Sequence, residues 1–492
     1  MQQPSIRKNY LYRLTYEILI IIIPFITTPY VSRVLGADGI GIYSYTSSIM
    51  SYFTMFAALG TLSYGAREIA RHRDDRQVSS KLFWEIEFLT IFTSLISLGI
   101  WIFVIIISNE YKYFFIALVP ILLATMVDIS WYFTGYEQTK YIVLRNIFCK
   151  LAGVVLLFIL VRKKEDILTY VIINSVVQLV GNLSMWTYLP RMLVKVDFKK
   201  LTIKKHFQET LVYFIPTIST SVYTVLDKTL IGLITKDTYQ NGYYEQANKI
   251  ISMLKTLVFV AVNSVMGARI SYLFSEEKYE EIHVRINRSM SYIFLLGFGF
   301  SFGLVGVADK FVPLFLGKGY KPVIKLLYLK APLILIIGVS NCLGGQYYTP
   351  SGKRKQSAKY IIMGSVSNLI FNLVLIPRWQ SIGAAVATVI AELMITCLYV
   401  HFSDEYMTAK GLWKLAWKKF LAGIIMFSAI WGIGKVVLIS DLAVLISQIS
   451  IGVIVYGLAL YFLQDQMFSE FLDIGFSVIR RKGGFMNDRS GN

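Results

Sequence analysis

Apolar runs of about twenty residues, each long enough as a helix to cross the hydrocarbon core of a bilayer, recur along this chain with only short polar breaks between them. Fourteen can be drawn: 12–33, 40–63, 83–107, 113–134, 140–161, 167–190, 210–234, 246–268, 289–309, 323–348, 359–377, 382–402, 418–438 and 441–463. In lipid every backbone N–H and C=O must find a partner inside the protein, which leaves helices and closed barrels as the spanning structures. Barrel strands would show segments of about ten residues with strict alternation. The pattern therefore predicts an all-α integral membrane protein with about fourteen transmembrane helices. Composition agrees, since 55% of residues are hydrophobic and 16% charged, a balance foreign to soluble domains.

The net charge of +19 invites a nucleic-acid reading, but its distribution argues against one. Alternate loops collect 31 of the 49 lysines and arginines, with clusters at 67–81, 191–205, 269–288, 353–359, 410–419 and 480–489; the opposite loops hold ten. Basic loops stay cytoplasmic. The 31-residue side is therefore expected inside, with both termini there, and the excess reads as topology and contact with anionic lipid. The first apolar run follows Arg7, Lys8 and Arg13 but is too long for a signal peptide and lacks a small-residue cleavage site, so it reads as a retained helix. Cys149, Cys342 and Cys397 fall in separate helices, and the four histidines are scattered. No disulfide framework and no metal spacing follow from them.

Two stretches echo each other. "PFITTPYVSRVLGADGIGIYSY" from Pro24 and "PTISTSVYTVLDKTLIGLITKDTYQNGYYEQ" from Pro216 each place a proline in an apolar run and a Gly-x-Tyr at the start of the next. "WYFTGYEQTKYI" from Trp131 and "QYYTPSGKRKQSAKYI" from Gln346 form a second pair. The offsets are 192 for the prolines, 201 for the glycines and 219 for Lys140 against Lys359, in order along the chain. An offset of six helices predicts two pseudo-symmetric six-helix bundles of the same orientation, facing each other across a cleft that opens to either side. The expected organisation is 1–190 for the first bundle, 191–209 for a basic cytoplasmic linker, 210–402 for the second bundle, 403–463 for two extra helices and 464–492 for a cytoplasmic tail, disordered beyond Gly483. The linker lysines suit the anionic inner leaflet, and Phe468, Phe471, Leu472 and Ile479 suit an interfacial helix.

Several predicted helices carry polar stripes: Asn174, Gln178 and Asn182; Lys249, Ser252, Thr256 and Asn263; Ser365, Asn368 and Asn372; Thr388, Glu392 and Thr396. Such stripes either glue helices together or face a watery cavity. Ionisable residues inside a membrane default to function. Glu17, Asp128, Arg145, Lys150, Asp227, Lys228, Lys249, Lys255 and Glu392 lie within predicted spans and Arg33 at the end of one. Lys330 and Lys435 sit near helix ends, where snorkelling explains them. Asp227 and Lys228 point to different faces, so each is expected to pair with another helix. Arg145 and Lys150 lie too deep in the fifth helix to snorkel.

"DISWYFTGYEQTKYIVLRNIFCK" from Asp128, "LDKTLIGLITKDTYQNGYYEQANKI" from Leu226 and "SRVLGADGIGIYSY" from Ser32 resemble the Wzx-type polysaccharide repeat-unit flippases of the multidrug/oligosaccharidyl-lipid/polysaccharide (MOP) exporter superfamily. The resemblance runs over nearly the whole chain and implies a MATE-like fold. It implies a transporter, not an enzyme, carrying polyprenyl-diphosphate-linked oligosaccharide from the inner to the outer leaflet of a bacterial cytoplasmic membrane, for capsule, exopolysaccharide or O-antigen assembly. It also places Arg33, Arg145, Lys150 and Lys228 at family-typical basic positions.

The residues support that chemistry independently. Guanidinium and ammonium groups form charge-assisted bonds to phosphate, and tyrosine and tryptophan offer faces for sugar rings. The expected diphosphate and sugar cavity is therefore drawn from Arg33, Arg145, Lys150, Lys228, Lys249 and Lys255. Glu17, Asp128, Asp227 and Glu392 are left as coupling-cation ligands, for H+ or Na+, or as ion-pair partners. No cofactor and no nucleotide motif is expected. Cargo and anionic lipids are the expected partners of a monomer, with other polysaccharide-assembly membrane proteins a further option. A cation-coupled drug or metabolite exporter of the same superfamily is the alternative, but it would want an acid-dominated cavity. A membrane glycosyltransferase would want catalytic acids on a large outer loop, which this chain lacks.

Overall fold

The computed structural model describes residues 6–404, 406–435 and 440–473, and every regular element among them is helical. Fifteen α-helices account for the fourteen predicted spans: α1 Ile6–Ala58, α2 Thr61–Arg71, α3 Arg76–Ile107, α4 Lys112–Met126, α5 Ser130–Gly135, α6 Thr139–Leu160, α7 Ile167–Met185, α8 Ile203–Thr235, α9 Thr238–Ser275, α10 Tyr279–Leu316, α11 Lys321–Lys330, α12 Leu333–Leu343, α13 Arg354–His401, α14 Ala409–Gly434 and α15 Asp441–Phe462. Ten stretches among them are long and apolar enough to cross a membrane.

The difference between ten and fourteen has a local cause. Two of the ten stretches each hold two predicted spans, joined through a single non-helical residue: Gly36 (φ 69°) in α1 and Gln380 (φ 50°) in α13. The left-handed conformation at Gly36 is one that glycine reaches without a Cβ clash. The seventh and eighth predicted spans fall on α8 and α9, outside the ten. The helices also outrun the predicted spans. At about 1.5 Å per residue, the 38 residues of α9 and of α10 give rods of about 57 Å, well beyond a hydrocarbon core of about 30 Å. Their surplus meets at the turn Glu276–Lys278, on the basic side.

The chain forms two compact units. The first holds the described residues through Gln246 with Asn368–Ala384; the second holds Ala247–Ser367 and the residues from Ala385 on. In the first, one apolar cluster gathers Met50, Trp101, Phe115 and Leu122, and another gathers Phe83, Ile86, Trp131, Tyr132 and Met185. Indole N–H groups are satisfied on carbonyls: Trp101 donates to Phe115 O (3.1 Å) and Trp186 to Val127 O (2.9 Å). The segment joining α7 to α8 is pinned to α3. Thr202 donates its backbone N–H to Glu85 Oε1 (2.6 Å), and buried His206 sits between Glu85 Oε2 (2.8 Å) and the Tyr64 hydroxyl (2.7 Å). In the second unit α10, α14 and α15 pack together around Met426, Ile430 and Leu445. The tail begins docked on them: Asp465 pairs with buried Lys419 (2.6 Å), Glu470 with Arg288 (2.8 Å), and Phe468 lies against Leu460 and Ala422. Ile479 and the segment beyond Gly483 lie outside the described residues. Lys330 does not snorkel, being buried to 1% exposure.

Candidate functional site

A polar cavity of about 560 Å³ opens inside the first unit, between α1, α6, α7 and the end of α4. The stripe on α7 lines it, since Asn174, Gln178 and Asn182 recur at one helical face. Opposite stand Arg145, Asn146 and Lys150 of α6, with Asp128 following α4 and Thr27 on α1.

Arg145 is held by neutral acceptors. Its Nε and Nη2 donate to Asn146 Oδ1 (3.0 and 2.6 Å) and its Nη1 to Asn182 Oδ1 (2.8 Å) and Met185 Sδ (3.0 Å). Asn182 is fixed in turn by donating to Ala124 O (2.7 Å). Among the described residues no carboxylate lies within ion-pair distance of Arg145. Asp128, on the same cavity, instead accepts the Ser130 N–H (3.0 Å) at the start of α5. The guanidinium is thereby oriented without being neutralised, as anion recognition requires.

The remaining predicted residues lie elsewhere. Lys228 forms an ion pair with Glu245 Oε2 (2.5 Å), which also accepts from Ser44 (3.3 Å), so its charge is compensated on α9. Asp227, 3% exposed, accepts from the Tyr244 hydroxyl and from Asn372 Nδ2 (2.7 Å); Asn372 bonds Asn368 Oδ1 (2.9 Å). The expectation that Asp227 and Lys228 would pair separately is met. Arg33 is exposed and does not line the cavity. Lys249, Lys255 and Glu392 belong to the second unit, where Glu392 is 5% exposed and acts electrostatically on Lys255. The side chains of Glu17 and Asn263 lie outside the described residues. Within the first unit Arg145 and Lys150 share a cavity that Arg33 and Lys228 do not line, while Lys249 and Lys255 lie in the second unit.

The sequence echo becomes a contact. Ala37 and Gly41 open the second half of α1, and Thr238 and Gly242 open α9, each pair with small-x-x-x-small spacing. A Cβ on Gly41 would lie 1.7 Å from the Thr238 carbonyl oxygen, and one on Gly242 would lie 1.9 Å from that of Ala37. Both pairs are related by the same offset of 201, so each repeat offers its glycine to the other's first helical turn. Such close crossing is what small residues permit between membrane helices. Asp38 accepts from the Thr238 hydroxyl beside it, and Ser381 donates to Gln240 (2.7 Å). This crossing lies at the end that the basic-residue count makes external.

Sequence reading missed three acids that matter here. Glu245 fell one residue before a predicted span, and Glu85 and Glu87 were passed over in the run "KLFWEIEFLT", although two acids in an apolar helix are themselves the signal.

The profile of the family described as polysaccharide biosynthesis protein matches residues 6–274. A protein of Escherichia coli (strain K12) described as "Putative O-antigen transporter" is 26% identical over 403 residues, 81% of this chain and 96% of its own. Among solved structures, the lipid II flippase MurJ in an inward closed conformation superposes with a TM-score of 0.73 at 17% identity, covering 93% of this chain and 99% of that one. An inward-facing multidrug resistance MATE family transporter of the MOP superfamily gives 0.57 at 12% identity, covering 86% and 98%. At these identities the structures establish the fold, which is MATE-like.

Proposed function

Because the chain belongs to the polysaccharide biosynthesis protein family, within the MOP exporter superfamily, we propose that it flips polyprenyl-diphosphate-linked oligosaccharide repeat units from the inner to the outer leaflet of the bacterial cytoplasmic membrane, serving capsule, exopolysaccharide or O-antigen assembly. The observation that carries this reading is the cavity in which Arg145 is oriented by Asn146 and Asn182 and left unneutralised, with Lys150 on the same wall. A diphosphate crossing hydrocarbon needs a fixed cation that loses nothing on meeting it. Two six-helix repeats, 1–190 and 210–402, rock about the cargo so that the site faces each side in turn. The glycine crossing supports a closed external end. Asp227, held by Tyr244 and Asn372, is the best-formed candidate for a coupling H+ or Na+. No catalytic step is required of the chain.

The test is flipping of a fluorescent polyprenyl-diphosphate oligosaccharide in proteoliposomes. Removing either cation deletes a charge-assisted bond of roughly 1.5 to 3 kcal/mol, about 10- to 150-fold in affinity. Arg145→Ala and Lys150→Ala are therefore expected to bind and flip the probe poorly at normal abundance. Lys150→Arg retains more activity than Arg145→Lys, whose ammonium cannot reproduce the fork on Asn146 and Asn182. Normal flipping by the double alanine variant would refute the site.

A further inference from the structure

Glu87 is the least explained charged residue of the first unit. It lies eleven residues into α3, about 16 Å along the axis, and is 0% exposed. Neither carboxyl oxygen has a hydrogen-bond partner among the described residues, and no Lys, Arg or His nitrogen among them lies within ion-pair distance. Its surroundings are apolar: Phe83 and Ile86 on its own helix and Trp131 of α5, itself wedged against Gly65 of α2. The polar groups acting on it are the Trp131 indole N–H, also without a partner among the described residues, and the carboxylate of Asp128.

A fully buried carboxylate here has no cation and only the Trp131 indole N–H to stabilise its charge, and a second carboxylate beside it adds repulsion. A purely structural acid in a helix core has partners, as Glu85 shows two residues away, with Thr202 and His206 on its oxygens. Glu87 has only the weak contact of the Trp131 indole, too little for a structural anchor. Asp128 meanwhile lines the cavity with Arg145 and Lys150, so the electrostatic state of that cavity reaches Glu87 through one residue.

We propose that Glu87 is a proton-binding site coupled to the charge of the cavity, and that a proton on Glu87 and an anionic cargo beside Arg145 bind cooperatively. The sign follows from Coulomb's law. With no cargo bound, the guanidinium of Arg145, which meets only neutral acceptors, favours the ionised form of Glu87; a diphosphate beside it cancels that charge and favours the neutral acid. By reciprocity, protonation of Glu87 removes a negative charge near the site and tightens the diphosphate. The proton taken up comes from water and adds to a carboxyl oxygen, with no other bond changed. The second half of this inference rests on the cargo reading; the first does not.

Two measurements on the full-length protein in lipid test it. Infrared spectra at neutral pH should contain a carboxylic-acid C=O band that shifts on deuteration and is lost in Glu87→Gln, whose neutral, isosteric amide keeps the packing. A wild-type spectrum without that band, or one in which Glu87→Gln leaves it unchanged, overturns the site. This measurement needs no cargo and stands if the transport reading fails. Binding of a short polyprenyl diphosphate is then followed across pH. The ratio of wild-type to Glu87→Gln affinity should rise as pH falls, by at most tenfold per pH unit for one proton; the probe's own titration is common to both and cancels. A ratio independent of pH overturns the coupling.

Discussion

Adding a single methyl group at the glycine crossing tests whether closing that end belongs to the working cycle. In Gly41→Ala the new Cβ would sit 1.7 Å from the Thr238 carbonyl oxygen, where real Cβ atoms do not come within 3.0 Å. The first turn of α9 must therefore retreat by at least about 1.3 Å, the difference between the two. A radial gap of that size forfeits about half of the dispersion contact across the crossing, and overpacking of a tight site costs roughly 1 to 3 kcal/mol. Loss of the adjoining Ser44 bond to Glu245 adds about 0.5 to 1.5 kcal/mol. Taken together, roughly 2 to 4 kcal/mol moves against the closed form, a shift of about 30- to 1,000-fold in its equilibrium with an open one.

The assay is accessibility. With Cys149, Cys342 and Cys397 replaced by alanine, a cysteine at buried Asn241 should resist an impermeant thiol reagent in the parent and react in Gly41→Ala. Flipping should fall by the same order, with normal protein in the membrane. Gly242→Ala should behave alike, its Cβ meeting Ala37 O. Thr238→Gly should rescue nothing, since the clash is with a backbone carbonyl. Unaltered labelling and full flipping in the Gly41→Ala, Gly242→Ala double variant would refute the reasoning.

Three further outcomes follow from other parts of the structure. Cysteines at exposed Asp74 and Glu276 should be shielded from an impermeant reagent in intact cells, and cysteines at Asn109 and Lys318 should label; the reverse pattern would invert the assigned orientation. Lys228→Ala strands Glu245 beside Ser44 and should lower thermal stability in detergent by more than the Lys228→Ala, Glu245→Gln pair does, so equal losses in a double-mutant cycle would remove the ion pair from the account. Lys353 and the Tyr347 hydroxyl hold the Asp404 carboxyl below the usual carboxylate range. A depressed carboxyl stabilises the fold above its unfolded pKa of about 3.9 and loses that contribution as pH falls through the lower folded value, so Asp404→Asn should flatten the acid limb of the stability profile.

Most spans were legible because hydropathy is a one-dimensional signal that lipid enforces directly; the seventh and eighth, on α8 and α9, fall outside the ten apolar stretches of the described residues. Gly36 and Gln380 show where that signal stops. Hydropathy places breaks at 34–39 and 378–381, around both residues, but it does not show that each break is a single residue of positive φ inside an otherwise continuous helical run. Side-chain partners were legible only when helical periodicity sufficed: Asn174, Gln178 and Asn182 share a face by spacing alone and do line the cavity. Grouping Arg33 and Lys228 with Arg145 and Lys150 rested on sign of charge. A cation's role depends on which acid another helix brings to it, as Glu245 does for Lys228, and sequence distance does not encode that.

The repeat is the case where one dimension did reveal three. Pro24 to Gly41 spans 17 residues, whereas Pro216 to Gly242 spans 26, so the second copy carries nine extra between proline and glycine. The insertion lengthens the proline-bearing helix and its turn, yet the spacing from Ala37 to Gly41 and from Thr238 to Gly242 is four in both. Chain length between the two landmarks can drift because the turn absorbs it. The four-residue spacing cannot, since one turn of helix must bring each small residue onto the other's carbonyl. The contact therefore sets the register of the echo: the offset of 201 holds for all four residues of the crossing, while it has already changed from 192 at the prolines and changes again to 219 by Lys140 and Lys359.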